Sequence, residues 1–429
     1  MSLGIGVIGA GTVGGGVIET LLGHKADIEA RTGVDPELVH VADTNTEALA
    51  EYPLKGVRVS ANAEELIDDP KVDTVCELIG GLEPAKTFIL RALKQGKSVV
   101  TANKMLLAHA GPELTEAALG GGAELRYEAA VAGGIPIIKA LREGLAANAI
   151  HRVYGILNGT CNYILTRMTH EGLEFGEVLL QAQAQGFAET PPDLDVEGHD
   201  TAHKCQIIAS LCYNTQIDLG DIPVEGITDL TSADIRYAHE MGYALKLLAV
   251  IQDGGGAIEA RVHPALVPEG HLLASVRHEF NAVYVESAIT GPTLYYGRGA
   301  GRLPTASAVV ADIIDIGRRG GAKAPPPFVY GPRRAIRSVD TLMGRYYLRL
   351  TTRDEPGVLG RVCTILGEHE VSIASCIQRE SRKSEAVHVV LMTHHTKEAG
   401  LRAALDRINQ MDAMNRAARM IRVLEAGAE

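Results

Sequence analysis

A short stretch in the middle of the chain, DVEGHDTAHK from Asp195 to Lys204, holds the residue types that acid–base or metal chemistry requires. From His199 onward, apolar residues recur at intervals of three and four, which predicts an amphipathic helix. Asp200 and Lys204 are four residues apart and would share one face of that helix. Glu189 precedes T-P-P, which cannot lie inside a helix, so we expect it on a loop.

The N-terminal segment LGIGVIGAGTVGGGV predicts a nucleotide site. Its first residues form an apolar run typical of a buried strand, and G-x-G-x-x-G follows at once, ahead of a helical pattern. The glycines permit a tight turn, close approach of backbone amides to a pyrophosphate, and close packing of helix on strand. The predicted cofactor contacts are Gly9, Gly11, Thr12, Val13 and Gly14.

The segments that follow predict a doubly wound parallel sheet. Strands are expected at 38–42, 74–79, 98–101 and 124–128, separated by helical patterns at 85–93 and 106–119. Asp43 ends the second strand, where an acid would meet the adenosine ribose, although an aspartate that stabilises a turn fits equally well. No arginine stands beside it, which favours NAD over NADP. Lys104, in VVTANK, follows a strand end that faces the ligand crevice.

Three hypotheses explain the central cluster. A metal site would use His199, Asp200 and His203, although their spacing does not match H-E-x-x-H. A solvated pair of Asp200 and Lys204 would contribute about 0.5 kcal/mol or less to stability. A proton-transfer site would use Lys204 to remove the hydroxyl proton during oxidation of an alcohol by NAD.

Two further segments between the sheet and the cluster could carry chemistry. YEAAVAGGIPII is glycine-rich, and its free carbonyls would suit a cation, although a tight interdomain turn is the simpler interpretation. A helix is expected from 137 to 145. Cys161 is predicted at a helix start, where a thiolate could attack an aldehyde, but a buried structural thiol is the alternative.

The C-terminal part predicts a separate small module. A proline-rich linker, AKAPPPFVYGPRR, precedes a strand, the turn DEPGVLG and a helix. Strands at 371–378, 386–392 and 417–424 and a helix at 397–410 complete a βαββαβ order, which is ferredoxin-like. Gly357 lies at the first strand-to-helix turn, where backbone amides could meet an amino acid carboxylate.

Composition excludes several classes of function. The chain has 429 residues and a formal net charge of -12, which argues against a nucleic-acid partner. It has no long apolar run and no basic start followed by an apolar segment, so neither a membrane partner nor a signal peptide is expected. Its six cysteines include no C-x-x-C pair, which favours reduced thiols and a cytoplasmic protein.

Taken together, the motifs resemble the homoserine dehydrogenase family with a C-terminal ACT domain. The resemblance rests on GIGVIGAGTVGGGV, VVTANK, YEAAVAGGIPII, ILNGTCNYIL, GFAETPPDLDVEGHDTAHK and GRGAGRLPTASAVVADI, and covers essentially the whole chain. It implies NAD(P)-dependent interconversion of L-homoserine and L-aspartate 4-semialdehyde, without zinc. It also implies a homodimer or homotetramer built from the middle domain, and threonine as an effector of the ACT domain.

The resemblance also assigns residue roles. Lys204 would be the acid–base group, and Asp200 would hold it and the substrate hydroxyl. Glu189, with Asp195 beside it, would bind the substrate ammonium. The remaining implied contacts are Lys104 at the junction of cofactor and substrate, Gly301 near the cofactor, and the carbonyls of Glu128, Val131, Gly133 and Ile135 around Na⁺ or K⁺.

Two departures from the family pattern qualify these roles. Cys161 replaces a common threonine, which disfavours a nucleophile, and Ala42 replaces a common arginine, which leaves NADP preference open. The alternatives are a cysteine-dependent semialdehyde dehydrogenase and a non-catalytic amino acid sensor.

The expected fold class is α/β with three domains. A Rossmann-like nucleotide-binding domain spans 1–130, completed by a helix near 304–320, and an α+β catalytic and dimerisation domain spans 131–322. A linker at 323–344 leads to the ferredoxin-like ACT domain at 345–429.

Overall fold

The computed structural model describes residues 2–319, 328–379 and 386–425. Its first unit comprises β1 (Ser2–Ile8), α1 (Thr12–Gly23), α2 (Lys25–Thr32), β2 (Asp35–Ala42), β3 (Arg58–Ser60), α3 (Ala63–Ile67), β4 (Thr74–Glu77), α4 (Ala85–Lys94), β5 (Ser98–Thr101), α5 (Lys104–Gly121) and β6 (Leu125–Arg126). The strands pair in parallel in the order β3-β2-β1-β4-β5-β6. The order reverses between β1 and β4, and ligands of such sheets bind at that switch point. The predicted doubly wound sheet is confirmed.

The structure adds one strand to the prediction, shortens another, and shows that the helix predicted after the glycine-rich segment is only partly α-helical. The sequence did not reveal β3, because it is only three residues long and has no buried residue. The strand expected at 124–128 shrinks to Leu125–Arg126, and Glu128 opens a 3₁₀ turn instead. The helix expected at 137–145 is α-helical only over Ile137–Lys139 and continues as a π-helical turn, Ala140–Gly144.

The middle unit comprises α6 (Ile137–Lys139), β7 (Ile150–Ile156), α7 (Gly159–Glu171), α8 (Phe175–Ala184), α9 (Asp193–Val196), α10 (His199–Tyr213), α11 (Ser232–Glu240), β8 (Tyr243–Asp253), β9 (Ile258–Pro268), β10 (Phe280–Ser287), β11 (Gly291–Arg298) and α12 (Arg302–Gly317). α10 lies against α5 on one side and against β8 and β9 on another. Every residue from Asp200 to Ser210 is therefore buried. The helix predicted from His199 onward is confirmed, but the exposed polar face expected of an amphipathic helix was wrong.

α12 returns the chain to the nucleotide-binding unit and packs on α1. A Cβ on Gly16 would lie 2.7 Å from the carbonyl oxygen of Arg302 and 3.0 Å from the Cβ of Ala306. Glycine is therefore required for this close approach. No helix in the described ranges is long and apolar enough to cross a membrane.

The C-terminal unit comprises β12 (Met343–Gly344), β13 (Tyr346–Arg353), α13 (Val358–Glu368), β14 (Ile373–Gln378), β15 (Ala386–Thr393), β16 (Thr396–Lys397), α14 (Glu398–Asn409) and β17 (Met414–Val423). Its main strands pair antiparallel in the order β17-β13-β15-β14, which confirms the ferredoxin-like prediction. β17 also pairs in parallel with β9, so this sheet continues that of the middle unit in the order β11-β10-β7-β8-β9-β17-β13-β15-β14. The sequence did not predict this junction.

Part of the proline-rich linker binds the middle unit. Residues 320–327 lie outside the described ranges. Beyond them, Thr215 Oγ1 donates to the carbonyl of Pro332 at 2.7 Å and accepts from the backbone N–H of Arg334 at 3.0 Å. Arg333 pairs with Asp218 and Asp221. These contacts hold the end of the linker in place before β12.

A buried ion pair also joins the C-terminal unit to the middle unit. The Arg349 guanidinium on β13 donates to both carboxylate oxygens of Asp234 on α11, at 2.6 and 3.0 Å. The Tyr347 hydroxyl donates to the same carboxylate at 3.1 Å. Asp234 is 0% exposed and also completes the capping box that Thr231 begins. This carboxylate therefore serves helix capping and domain docking together.

We expect Arg349→Met to lower the free energy of unfolding by about 3–5 kcal/mol, because it leaves the Asp234 carboxylate buried without its charged partner. Arg407→Met is the matched control, since Arg407 pairs with Glu368 and both side chains are 50% exposed. Urea titration measures both losses. Equal losses in the two variants would contradict a structural role for the buried pair.

Candidate active site

The glycine-rich turn after β1 forms a cradle for a phosphate group. Gly9 has φ +92°, and its N–H donates to the carbonyl of Ala42 at 2.9 Å. A Cβ on Gly14 would lie 1.8 Å from the carbonyl oxygen of Gly9, whereas one on Gly11 would meet nothing within 4 Å. No side chain caps α1, and no acidic residue lies in its first turn. The exposed amides at this helix start fit a pyrophosphate.

Asp43 orders this turn. Its Oδ2 accepts from the N–H of Ala10 at 2.6 Å, and its Oδ1 accepts from the N–H of Asn45 at 2.8 Å. The geometry therefore shows the turn-stabilising role directly. A carboxylate has about four acceptor positions, so these two bonds leave capacity for ribose hydroxyls.

A buried network beside this cradle was missed by sequence reasoning. Glu77, at the end of β4, is 0% exposed, and its Oε1 accepts from the N–H groups of Ile79 and Gly80 at 3.0 and 3.1 Å. Its Oε2 accepts from the Thr101 hydroxyl at 2.7 Å. Asn103 then donates to the carbonyl of Gly81 at 2.7 Å. The loop after β4 is thus fixed beside Gly9; the signal was an acidic residue ending an apolar strand.

Asp200, at the start of α10, lies between two lysines. Its Oδ1 is 3.0 Å from Lys104 Nζ, and its Oδ2 is 2.7 Å from Lys204 Nζ and 2.9 Å from Asn158 Nδ2. The residue is only 3% exposed. Burial alone would favour the neutral acid, but the two ammonium groups and these hydrogen bonds hold the pKa of Asp200 well below its usual range. The carboxylate is therefore ionised.

The two lysines differ in their surroundings. Lys204 is buried and also donates to the carbonyl of Leu157 at 2.7 Å. Burial and the nearby Lys104 charge lower the pKa of Lys204, although Asp200 opposes them. Lys104 opens α5, and its side chain is 36% exposed. The Asp200 carboxylate raises the pKa of Lys104 above its ordinary value. The hypothesis of a solvated acid–lysine pair was wrong.

Asn158, also overlooked as a site residue, connects the Asp195 carboxylate on α9 to this cluster. Its Oδ1 accepts from the N–H of Cys161 and so caps α7, while its Nδ2 donates to Asp195 Oδ1 at 2.6 Å as well as to Asp200. The Cys161 thiol is 0% exposed and donates to the carbonyl of Asp195 at 3.2 Å. Burial raises the pKa of Cys161, so the geometry does not support a nucleophilic thiolate.

Glu189 lies on the predicted loop and is exposed. Its negative charge contributes to the raised pKa of Lys104, after the larger effects of Asp200 and Asp195.

The two histidines of the central motif separate. His199 is exposed, with its Nε2 3.5 Å from Glu197. His203 is buried beside His109, with ring centroids 5.7 Å apart, and burial lowers the pKa of His203 to about 4. The described residues contain no group of three or more His, Cys, Asp or Glu placed to hold a metal ion.

The glycine-rich turn at 131–135 leaves some of its backbone carbonyls without a hydrogen-bond donor from the described residues. Val131 and Gly133 are buried, and no N–H of the described residues donates to either carbonyl oxygen. The Ile135 carbonyl accepts from Ile137 at 2.8 Å, and that of Glu128 accepts from Val131 at a long 3.4 Å. The Glu128 side chain accepts from the N–H groups of Ile138 and Lys139 at 2.7 and 2.8 Å, and burial raises its pKa to about 7.

Two further predicted glycines lie at helix starts. Gly301, with φ +118°, precedes α12, and the carbonyl of nearby Gly299 would lie 2.4 Å from a Cβ on Gly133. The turn at Gly301 therefore adjoins the glycine-rich turn at 131–135. Gly357, with φ +87°, precedes α13 in the C-terminal unit, and a Cβ there would meet nothing within 4 Å.

Family models match three consecutive parts of the chain. Residues 9–128 match "Homoserine dehydrogenase, NAD binding domain", residues 136–314 match "Homoserine dehydrogenase", and residues 346–413 match "ACT domain".

Relatives and solved structures cover nearly the whole chain. It is 43% identical over 426 residues to the homoserine dehydrogenase of Neisseria gonorrhoeae, covering 98% of each chain. It is 37% identical to that of Bacillus subtilis, covering 96% of this chain and 95% of the other. A crystal structure of a homoserine dehydrogenase from Thiobacillus denitrificans superimposes with a TM-score of 0.93 at 42% identity, covering 99% of each chain. A hyperthermophilic archaeal homoserine dehydrogenase in complex with NADPH superimposes with a TM-score of 0.64 at 25% identity, covering 76% of this chain and 99% of that one.

We expect Gly14→Ala to lower thermal stability and Gly11→Ala to lower affinity for the dinucleotide. The Gly14 methyl group would collide with the Gly9 carbonyl, so this variant should lose thermal stability. The Gly11 methyl group has open space, so that variant should keep its melting temperature and lose affinity for the dinucleotide, about tenfold or more, because the methyl group stands where the pyrophosphate approaches. Thermal melts and fluorescence titration with NADPH and NADH separate the two effects. A Gly11 variant that binds both normally would contradict the cradle.

Proposed function

The chain belongs to the homoserine dehydrogenase family, and from this premise we propose that Lys204 is the acid–base group in its interconversion of L-homoserine and L-aspartate 4-semialdehyde. The observation that carries this proposal is the pair of contacts from one buried carboxylate, Asp200, to Lys104 and Lys204. The family supplies an NAD(P)-binding domain and a C-terminal ACT domain. Oxidation of an alcohol by NAD(P) requires that the hydroxyl proton leave the substrate, and a lysine with a lowered pKa can accept it.

The residues of this site have different roles in the reaction. When bound, the nicotinamide of NAD(P) accepts the hydride from the carbinol carbon or returns it to the aldehyde. Lys204, as a neutral amine, takes the hydroxyl proton during oxidation and, as an ammonium, gives it back during reduction. Lys104 remains charged and stabilises the negative charge that develops on the substrate oxygen. Asp200 holds both nitrogen atoms in place and contacts the substrate hydroxyl.

The exposure of the two lysines decides which one transfers the proton. Lys204 is buried, and burial lowers its pKa below the ordinary lysine value, which favours the neutral amine. Lys104 is more exposed, and its raised pKa keeps it cationic. The proton therefore transfers at Lys204, while Lys104 supplies positive charge at the junction of cofactor and substrate.

Glu189 and Asp195 provide the complementary charge for the substrate ammonium group. Asp195 is anchored by Asn158 at 2.6 Å, which leaves its second oxygen for a ligand. Glu189 is exposed at the same crevice, where a carboxylate can pair with an incoming cation. Together they would orient the amino acid end of homoserine away from the nicotinamide.

The cofactor would lie across the G-x-G-x-x-G turn, with its ribose near Asp43 and its nicotinamide end between Lys104 and Gly301. Ala42 offers no charge to a 2′-phosphate, which supports NAD. The archaeal relative was solved with NADPH, which supports NADP. We propose that both are substrates, and initial rates with each give the preference.

A monovalent cation would bind the backbone carbonyls of the turn at 131–135. The buried carbonyls of Val131 and Gly133 have no donor among the described residues, as a Na⁺ or K⁺ site requires. The Glu128 and Ile135 carbonyls, already hydrogen-bonded, would complete it. Titrating either salt into a tetramethylammonium buffer and following the turnover rate tests this site.

The ACT domain would bind threonine at the open Gly357 turn, whose amides at the start of α13 fit a carboxylate. Rates measured with and without threonine test this assignment.

The middle domain would form a homodimer or homotetramer, which light scattering measures. The free cysteines, of which Cys76, Cys161 and Cys205 are buried, suit a reducing cytoplasm.

We expect Lys204→Met to reduce kcat about 100-fold or more, since general acid–base catalysis contributes about 10²–10⁴. Binding of NADPH should persist, because the nucleotide cradle lies on other elements. Lys94→Met, on an exposed part of α4, is the control and should keep full activity. Equal rates in the wild type and Lys204→Met would transfer the acid–base role to Lys104.

The pH dependence gives an independent check on Lys204. Because oxidation needs the neutral amine, the rate of homoserine oxidation should rise with pH through the pKa of Lys204. Its midpoint should lie below the ordinary lysine value of about 10.4. Aspartate semialdehyde reduction needs the ammonium form and should decline over the same range. A midpoint at or above the ordinary value would contradict the lowered pKa.

We expect Glu189→Gln to raise the KM for homoserine about tenfold and to change kcat little, because the amide keeps the shape and loses the charge that attracts the ammonium group. Glu197→Gln is the matched control, since Glu197 is an exposed glutamate of the same segment. Steady-state kinetics with saturating cofactor measure both. An unchanged KM in Glu189→Gln would remove this residue from the substrate site.

A further inference from the structure

A cavity of about 330 Å³ lies between the middle unit and the C-terminal unit, away from the catalytic cluster. Its walls are β9 and its neighbours on the sheet, the segment leading into β13, and the end of β17. The lining residues that the structure describes include five arginines, Arg152, Arg261, Arg337, Arg345 and Arg422, and two glutamates, Glu259 and Glu425. We propose that this cavity binds a small molecule with two anionic groups, carboxylates or phosphates.

The five lining arginines outnumber by one the four carboxylates that pair with them. Glu259 serves two, since it accepts from Arg261 at 2.7 Å and from Arg337 at 2.9 Å. Arg152 Nε lies 3.3 Å from Glu286. Among the described residues no carboxylate lies within ion-pair distance of Arg345, which is partly exposed. Glu425 also lines the cavity and pairs with His395 at 2.8 Å. The positive group that is left to bind an anion is therefore the Arg345 guanidinium.

Buried partners fix the geometry of the guanidinium groups. Arg422 is 6% exposed and donates to Glu398 at 2.9 and 2.7 Å. Arg261 donates to the Nε2 of buried His263 at 3.2 Å, and His263 Nδ1 lies 2.9 Å from the Pro264 carbonyl. Burial and the adjacent arginines hold the pKa of His263 well below its usual range, so this histidine is a neutral acceptor. The site is organised before a ligand enters.

The arginines of the cavity come from both units. A ligand that contacts the arginines of both units therefore needs an anionic group at each end. Arg152, Arg261 and Arg337 lie on the strands of the middle unit and the segment beside them. Arg345 and Arg422 belong to the C-terminal unit. A volume near 330 Å³ is at the lower end of small-molecule pockets and fits a compact metabolite.

This cavity is separate from the Gly357 turn. It contacts the start of β13 at Tyr346, whereas Gly357 follows its end at Arg353. Strands rise about 3.4 Å per residue, which separates the two ends by roughly 24 Å. The proposal therefore goes beyond the proposed function and does not depend on the threonine assignment.

Isothermal titration calorimetry on the full chain tests the cavity directly. The probes are succinate and inorganic pyrophosphate, with uncharged succinamide as the matched ligand control. Arg345→Gln removes an arginine that lacks a carboxylate partner, so the fold should persist, and a circular dichroism melt checks this. Arg361→Gln, at an exposed arginine on α13, is the matched protein control.

We expect the wild type and Arg361→Gln to bind succinate or pyrophosphate, Arg345→Gln to bind the same anion at least tenfold more weakly, and succinamide not to bind. Whichever anion binds more tightly identifies carboxylate or phosphate as the preferred chemistry. Pyrophosphate could also occupy the glycine-rich turn after β1, but binding at that turn would not change in Arg345→Gln. Absence of binding, or equal binding in all three proteins, would overturn the proposal. These binding measurements need no turnover and so stand apart from any failure of the Lys204 assignment.

Discussion

The site depends on one buried charge, the carboxylate of Asp200. A carboxylate this far from water would normally take up a proton, because desolvation penalises its charged form. It stays ionised because Lys104, Lys204 and Asn158 each contribute a donor. Removal of any one donor would leave the buried Asp200 carboxylate with less compensation for its charge. Breaking a buried ion pair in this way lowers the stability by more than the intact pair contributes. The elements around α10 are therefore constrained to deliver these three groups together.

Each donor comes from a different place in the fold. Lys104 opens α5 in the nucleotide-binding unit, Asn158 caps the start of α7, and Lys204 lies one turn along α10. The first belongs to the unit that would hold the cofactor, and the other two belong to the unit that would hold the substrate. Contact between Lys104 and Asp200 thus joins the two halves of the reaction. It also makes the lysines unequal, because one lies at the crevice and the other inside the protein.

Local sequence patterns predicted the elements better than the contacts between them. The Asp200–Lys204 pair follows from helical spacing, and the glycine-rich turn follows from its strand and helix. Nothing in spacing predicts that Lys104 reaches Asp200, because those residues are distant along the chain and meet only through the packing of α5 on α10. The same reason explains why α10 looked amphipathic: its polar face is covered by another domain. Glu77 was overlooked although an acidic residue at the end of an apolar strand was a signal for it, whereas the partners of Asn158 come from α9 and α10 and cannot be read from local spacing.

The junction of β17 with β9 connects the C-terminal unit to the strand that packs against α10. The N–H of Leu424 donates to the carbonyl of Leu266 at 2.8 Å, so the two units share backbone hydrogen bonds. β9 alternates its side chains: Arg261 and His263 face the arginine-lined cavity, while Val262 faces the other way. There, a Cβ on Gly198 would be only 3.3 Å from Val262 Cγ1, and Gly198 is the residue that starts α10. Because packed interiors are nearly incompressible, a shift of β9 would move the first turn of α10, which carries Asp200.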